Sequence, residues 1–369
     1  MHIFRAPVGG LFRHVLDLTH EQVARGHRVG LIADQSTGGA RADEMLAKLQ
    51  PSLALGLSRV PMRRHANPGD LHVLAHVMRR AAQTQADIVH GHGAKGGAYA
   101  RLSFGAKRAV RAYTPHGGSL HDALAGKFYL ATERLLMLRG DLFLFESAYS
   151  AAMFRSKIGQ PRGLVRIVHN GVSPAEFTSV AARPDATDLV FLGELRMLKG
   201  IDVLIDAIAQ MHRDGRNITA TVIGDGPDRA TLRVQAAHHD LNEVVRFLPA
   251  MPVREALALG RVMVAPSRAE SLPYVVLEAA ASGKPLITTC VGGIPEIYGP
   301  LFNTLVPPAD PVALAQAITQ ALDHPDAMAE ITQKLRAQVQ VSFSVDSMVD
   351  GVLSAYQSAL ESLAKKGGR

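Results

Sequence analysis

The pattern that most restricts the fold is a strand–helix alternation that runs twice and breaks once. The first run opens with His2-Ile3-Phe4, a short apolar strand, followed by the turn Pro7-Val8-Gly9-Gly10 and a helix to about Arg25. Leu11, Val15, Leu18 and Val23 recur along that helix at helical spacing. Gly26 ends it, and residues 27–33 read as the next strand. Strand, Gly-Gly turn, helix and strand make a βαβ unit, with the turn at the carboxyl edge of the sheet where ligands bind. Gly9-Gly10 either only tightens the turn or also lets a ligand approach the backbone. More strands are expected over 86–90, 110–114, 141–145 and 165–168, with helices over 68–83, from 98 onward, and over 129–138. The second run places strands at 189–192, 218–223, 244–247, 262–265, 286–290 and 304–306. Helices fall between them, over 201–211, 253–259, 274–282, 311–322 and 326–341, and a final amphipathic helix over 347–363. Between the runs, residues 173–187 are rich in Pro, Ala, Ser and Thr and read as a linker. The fold class expected is therefore α/β, two doubly wound Rossmann-like domains facing a central cleft. The domains are 1–172 and 188–343.

The length of 369 residues agrees with two cores, since one core stops growing well below that size. Cys290 is the only cysteine, so an intrachain disulfide and a multi-cysteine metal site are excluded, and a reducing cytoplasm is expected. No apolar run is long enough to span a bilayer. Charge is unevenly divided. Residues 1–170 hold 23 Lys+Arg and 11 Asp+Glu (23 − 11 = +12), and the remainder hold 17 and 22 (17 − 22 = −5). Arg59, Arg63 and Arg64 precede one helix; Lys107, Arg108 and Arg111 follow another. A basic first half implies an acidic partner. Nucleic acid fits poorly, because aromatics are 5% and tryptophan is absent, which leaves few stacking platforms. An anionic membrane surface or an acidic, lipid-linked acceptor fits better, with the protein peripheral on the inner face of the membrane.

The chemistry concentrates in loops at strand ends. Residues 262–265 are a buried strand ended by Pro266-Ser267. A polar loop, Arg268-Ala269-Glu270, leads to Ser271 as expected N-cap and Pro273 near the first helical position. The free N–H groups of that helix start suit an anion. Glu270 and Glu278, on either side of it, suit hydroxyl groups. A phosphate flanked by polyols is a nucleotide sugar. Arg196 and Lys199 lie in a glycine-bounded turn between Gly193 and Gly200, after a strand and before a helix. A planar fork and a point charge there make a diphosphate site. His116 stands at a strand end, followed by Gly117-Gly118. Gly224-Asp225-Gly226-Pro227 lacks the third glycine of a dinucleotide fingerprint, since Arg229 holds its place. No Asp-x-Asp pair stands at a strand end, so side chains rather than a metal ion are expected to neutralise the diphosphate. No metal and no cofactor is expected.

Taken in order, these pieces resemble glycosyltransferase family 4, of the GT-B fold, over nearly the whole chain. They are Gly9-Gly10, His116-Gly117, His169-Asn170-Gly171-Val172, Gly193-x-x-Arg196-x-x-Lys199-Gly200 and Gly224-x-Gly226-Pro227. Pro266-Ser267, Glu270-x7-Glu278 and Gly292-Gly293-Ile294-Pro295-Glu296 complete the set. The resemblance implies retaining, metal-independent transfer from a nucleotide-sugar donor to a saccharide or lipid-linked acceptor, in polysaccharide or glycolipid assembly. It assigns Arg196 and Lys199 to the diphosphate, Glu270 to the donor sugar, Glu278 to the ribose and His116 to the neighbourhood of the sugar. Gly9, Gly10, Gly193, Gly224, Ser271 and Leu272 complete the binding set. It also implies that the last helix, 344–369, packs back on the first domain. A nucleotide-sugar 2-epimerase on the same plan is the alternative enzyme. A binding module without catalysis is disfavoured by the intact set Arg196, Lys199, Glu270 and Glu278.

Overall fold

The computed structural model describes residues 1–104, 109–117 and 126–367, with side chains of the last stretch from 129 to 365. The chain forms two compact units, Met1–Asn170 with Val345–Arg369, and Gly171–Ser344.

The first unit is built on β1 (His2–Phe4), β2 (Leu31–Asp34), β3 (Leu57–Val60), β4 (Ile88–His92), β5 (Val110–Thr114), β6 (Leu142–Phe145) and β7 (Leu164–Ile167). The order is β3-β2-β1-β4-β5-β6-β7, with each described pair parallel. The helices are α1 (Gly9–Ala24), α2 (Gly39–Leu49), α3 (Gly69–Thr84), α4 (Gly93–Leu102), α5 (Gly126–Met137) and α6 (Ala148–Lys157). Strand order reverses at β1, whose neighbours are β2 and β4, and such a reversal opens a crevice at the strand ends. The register sets His2 against His90, Phe4 against His92, and His92 against Thr114. β1 is short, yet it lies mid-sheet with Ile3 and Phe4 fully buried.

Three elements of this unit were not expected: α2, β3 and α6. A fourth starts early. The small-residue run after His92 is the first turn of α4, not a loop before a helix at Ala98. Gly96 permits this, because a Cβ there would sit 2.2 Å from the Ile3 carbonyl oxygen.

The second unit holds β8 (Thr187–Leu192), β9 (Ala220–Ile223), β10 (Val245–Leu248), β11 (Gly260–Ala265) and β12 (Leu286–Thr288), in the order β10-β9-β8-β11-β12. Its helices are α7 (Ile201–Arg213), α8 (Arg229–His238), α9 (Val253–Leu257), α10 (Tyr274–Ala281), α11 (Ile294–Tyr298), α12 (Pro311–Asp323) and α13 (Pro325–Ser342). Ile201, Leu204, Ile205 and Ile208 of α7 are fully buried in one cluster with Leu189, Phe191 and Val222 of the sheet. Each such side chain stabilises the unit by roughly 1.5–3 kcal/mol relative to exposure. The strand expected at 304–306 does not form. Gly299–Thr304 is a 3-10 turn, which leaves a single bridge between Val306 and Thr289.

Residues 173–186 are tied down rather than free. A capping box of Ser173 and Glu176 opens a 3-10 turn over Pro174–Phe177. Val180 then donates to Ser282 O at 3.1 Å and Arg183 to Ala258 O at 2.9 Å. The last helix, α14 (Val345–Gly367), belongs to the first unit. Val345, Met348, Val349 and Val352 share a buried cluster with Leu18 of α1 and Leu142 and Leu144 of β6. Arg25 at the end of α1 donates to Asp346 at 3.0 Å and to Asp350 at 2.6 Å.

Candidate active site

The loop after β8 carries the two cations expected at a diphosphate. Arg196 precedes a 3-10 turn, Met197–Lys199, and Gly200 follows at φ 70° and caps α7. Glycine is required at 200: a Cβ there would lie 1.9 Å from the Pro266 carbonyl oxygen. That contact lays the loop directly against the end of β11.

Lys199 Nζ donates to Glu270 Oε1 at 2.6 Å, and Ser267 Oγ donates to the same oxygen at 2.7 Å. The Lys199 side chain is 25% exposed and that of Glu270 11%. Arg196 is looser. Its side chain is 44% exposed, with the Glu194 carboxylate 3.8 Å away. Two residues assigned to different parts of a donor thus meet each other here. An ion pair at this exposure holds by only about 1 kcal/mol, so an incoming polyanion can displace it.

The loop is braced by a pair not singled out in the sequence. Arg268 donates to both carboxylate oxygens of Asp202, at 2.6 and 2.5 Å, and to Met197 O at 2.6 Å. The Asp202 carboxylate, by these bonds, holds the Arg268 guanidinium charged more firmly than usual. The Arg268 amide donates to Leu198 O at 2.8 Å, and Asp228 accepts from Met197 N at 2.7 Å. Asp202 and Arg268 lie 66 residues apart. Only their places, one just after Lys199-Gly200-Ile201 and one just before Glu270, hinted at a meeting.

Ser271 is not the N-cap of α10. The helix starts at Tyr274 with Pro273 as the cap residue and no side-chain cap bond. Pro273 holds an extended φ and ψ of −74° and 124°, which places the cap two residues past Ser271. Ser271 instead accepts a bond from Gly293 N at 2.8 Å through its carbonyl. Leu272 is buried in the core beside Val276. Glu278 is half-buried on α10. Gly193 donates to Ile223 O at 3.1 Å, and Gly224 to Leu248 O at 3.2 Å, which holds both at the carboxyl ends of the strands.

In the first unit, His116 closes β5 at φ 55°, a left-handed backbone that costs a residue with a Cβ some free energy and marks a constrained position. It sits in a nest of imidazoles that the sequence reading did not anticipate. His92 Nδ1 and His116 Nε2 are 3.0 Å apart, as are His2 Nδ1 and His92 Nε2. His2 Nε2 lies 2.8 Å from Gln22 Oε1. His90 bonds Tyr356 Oη at 2.6 Å and Thr114 Oγ1 at 2.8 Å. His14 bonds Asn170 Oδ1 at 3.1 Å. Burial pushes every one of these imidazoles toward the neutral form. His2 falls to about 3 and His14 to about 4, and His90, His92 and His116 fall well below the ordinary value.

The signal was His90-x-His92 at a strand end, where period 2 puts both rings on one face beside the end of β1. One nitrogen each of His2, His90 and His92, or of His14, His92 and His116, falls within 4.8 Å, a spacing open to a metal ion. All six ring nitrogens of His2, His90 and His92 already have hydrogen-bond partners. Those three rings thus form a satisfied, neutral set. Gly9 and Gly10 are exposed, with open space where a Gly9 Cβ would point.

The basic clusters separate on inspection. Arg59 is bound to Asp43 at 2.6 Å and Arg111 to Asp141 at 2.8 Å, so neither offers an unpaired charge. Arg63 and Arg64 are exposed, while Lys107 and Arg108 lie outside the described residues. Among the described residues, no helix is long and apolar enough to cross a membrane.

Two parallel α/β units with loop-borne ligand groups define the GT-B fold. The chain superimposes with a TM-score of 0.78, at 19% identity, on the crystal structure of Anabaena Alr3699/HepE in complex with UDP and glucose, covering 97% of this chain and 100% of that one. The family model for Glycosyltransferase Family 4 matches residues 8–176, and that for Glycosyl transferases group 1 matches residues 186–324. The chain belongs to the family 4 glycosyltransferases. It is 28% identical over 250 residues to a glycogen synthase of Mycobacterium tuberculosis, a stretch that spans 66% of this chain and 60% of that relative's length. It is 29% identical over 280 residues to the putative colanic acid biosynthesis glycosyltransferase WcaL of Escherichia coli, covering 72% of this chain and 68% of that one.

Proposed function

We propose that this chain transfers a sugar from a nucleotide-diphosphate donor to a saccharide or lipid-linked acceptor in polysaccharide or glycolipid assembly, with retention and without a metal ion. The observation that carries it is the Lys199–Glu270–Ser267 cluster beside the exposed Arg196, on a loop braced by Asp202 and Arg268. Departure of a nucleoside diphosphate builds negative charge on its oxygens. Cations fixed there stabilise the transition state more than the ground state. Each would supply roughly 2–4 kcal/mol, by analogy with single oxyanion donors. Lys199 and Arg196 take that part, and Glu270 accepts from hydroxyls of the sugar. Glu278 is assigned to the ribose, with Gly193, Gly224, Ser271 and Leu272 lining the donor. His116 is assigned to the sugar, and Gly9 and Gly10 to backbone approach. The UDP and glucose bound by the Anabaena relative and the colanic acid role of WcaL support the donor and product classes.

The test combines nucleotide sugars with an oligosaccharide acceptor, with and without EDTA. Expected are transfer that EDTA leaves intact and an anomeric configuration kept from donor to product. Loss of turnover with EDTA, restored by a divalent ion, contradicts the metal-free part; an inverted product contradicts retention. A sugar nucleotide epimerised in the absence of acceptor replaces the reading with the epimerase. A peripheral place on an anionic membrane now leans on Arg63 and its neighbours rather than on Arg59 and Arg111. Co-sedimentation of Arg63→Glu with anionic vesicles, expected to fall, tests it.

A further inference from the structure

We propose that Gln22, through His2 and His92, is a positioning residue that holds His116 neutral with its Nδ1 as the hydrogen-bond acceptor. A neutral imidazole has one donor nitrogen and one acceptor nitrogen. A chain of imidazoles therefore has a polarity, and its end group sets it. Gln22 Oε1 accepts only, so the His2 Nε2 that lies 2.8 Å from it carries the proton. His2 Nδ1 must then accept from His92 Nε2–H at 3.0 Å. His92 Nδ1 must accept from His116 Nε2–H at 3.0 Å. That leaves His116 with Nδ1 as the acceptor.

Gln22 is itself buried on α1. Beside the chain, Tyr356 Oη lies 2.6 Å from His90 Nδ1 and Thr114 Oγ1 lies 2.8 Å from His90 Nε2. Turning the Gln22 amide over would reverse this chain and put the His116 proton on Nδ1. One side chain therefore sets the polarity of the His2–His92–His116 chain. His2, His90 and His92 are buried, which keeps the chain away from bulk water. A lone pair on Nδ1 accepts from a hydroxyl, as a sugar or acceptor alcohol offers, and repels a carbonyl or phosphate oxygen. That ligand class rests on the proposed transfer; the relay does not.

The test is the ¹⁵N spectrum of the full chain labelled at histidine, which separates Nε2–H, Nδ1–H and charged rings. His2, His92 and His116 are each expected as the Nε2–H tautomer. In Gln22→Leu the anchor is lost, and His116 is expected to mix tautomers while turnover falls three- to tenfold. Gln22→Glu keeps an accepting oxygen and is expected to restore the Nε2–H signal of His116. An Nδ1–H or charged His116 in the parent overturns the proposal, and the parent spectrum decides this even if a variant fails to fold. An unchanged His116 signal in Gln22→Leu overturns it as well. A chain inert as a transferase with the expected tautomers sinks the transfer reading and leaves the relay standing.

Discussion

The two candidate ligand regions use opposite electrostatics. In the second unit, Lys199 and Glu270 form a partly exposed ion pair, and the more exposed Arg196 lies 3.8 Å from Glu194. In the first unit, His2, His14, His90 and His92 are buried and neutral, joined by bonds that leave no ring nitrogen of His2, His90 or His92 to spare. On the proposed transfer, the two regions would meet different parts of the reaction. A diphosphate brings charge and needs mobile cations near water. A sugar brings hydroxyls, which are best sorted by fixed donors and acceptors in a dry setting, where an unmet group costs about 1–3 kcal/mol.

The contrast can be broken at the backbone first. Gly200→Ala would place a Cβ at a φ of 70° and 1.9 Å from Pro266 O. A loss of about 3 kcal/mol or more is expected in the second unit, seen as early denaturant unfolding. A midpoint like the parent's would show that the loop does not rest on β11.

Acid separates the units next. His2 and His14 titrate near 3 and 4 in the folded chain and near 6.5 when unfolded. Between those values the unfolded chain binds protons that the folded one does not. Stability is therefore full above about pH 6.5 and falls as the pH drops toward 4. Peptide-resolved hydrogen exchange should show β1, β4 and α1 losing protection over that range before α7 and β8 do. Equal loss in both units would contradict the neutral nest.

Smaller effects sharpen the phosphate side. Asp202→Asn removes one partner of a partly exposed pair, at a cost of about 1–2 kcal/mol. About a fivefold fall in turnover is expected as the Arg196–Lys199 loop loosens; unchanged turnover would make the pair merely structural. Glu278→Gln should raise the Michaelis constant for donor about threefold with turnover kept, because a ribose contact is made equally in ground and transition states. A fall in turnover at saturating donor would contradict that role.

Much of this was legible in sequence where the physics is local. β8, β9 and β11 are apolar runs ended by glycine or proline, and α7 and α14 have clear apolar faces. α2 was missed because only Ala42 and Leu46 of it are buried, behind two glycines that read as a loop. β3 is a half-buried edge strand with no alternation to see. α6 hides in small residues whose sign is the Ser147 cap. Arg196, Lys199 and Glu270 were singled out because each stands in a polar loop just after a strand, β8 or β11. Asp202–Arg268 and the histidine nest were not. Each joins residues distant in the chain, and only strand register brings His2 to His90 and His92.

The most direct test is turnover of Arg196→Ala and Lys199→Ala at saturating donor, with thermal midpoints measured alongside. Each variant is expected to lose at least tenfold in turnover, within roughly 2–4 kcal/mol of transition-state stabilisation, and to keep its midpoint within a few degrees of the parent. Near-normal turnover in both variants would contradict the assignment of this loop to a leaving diphosphate.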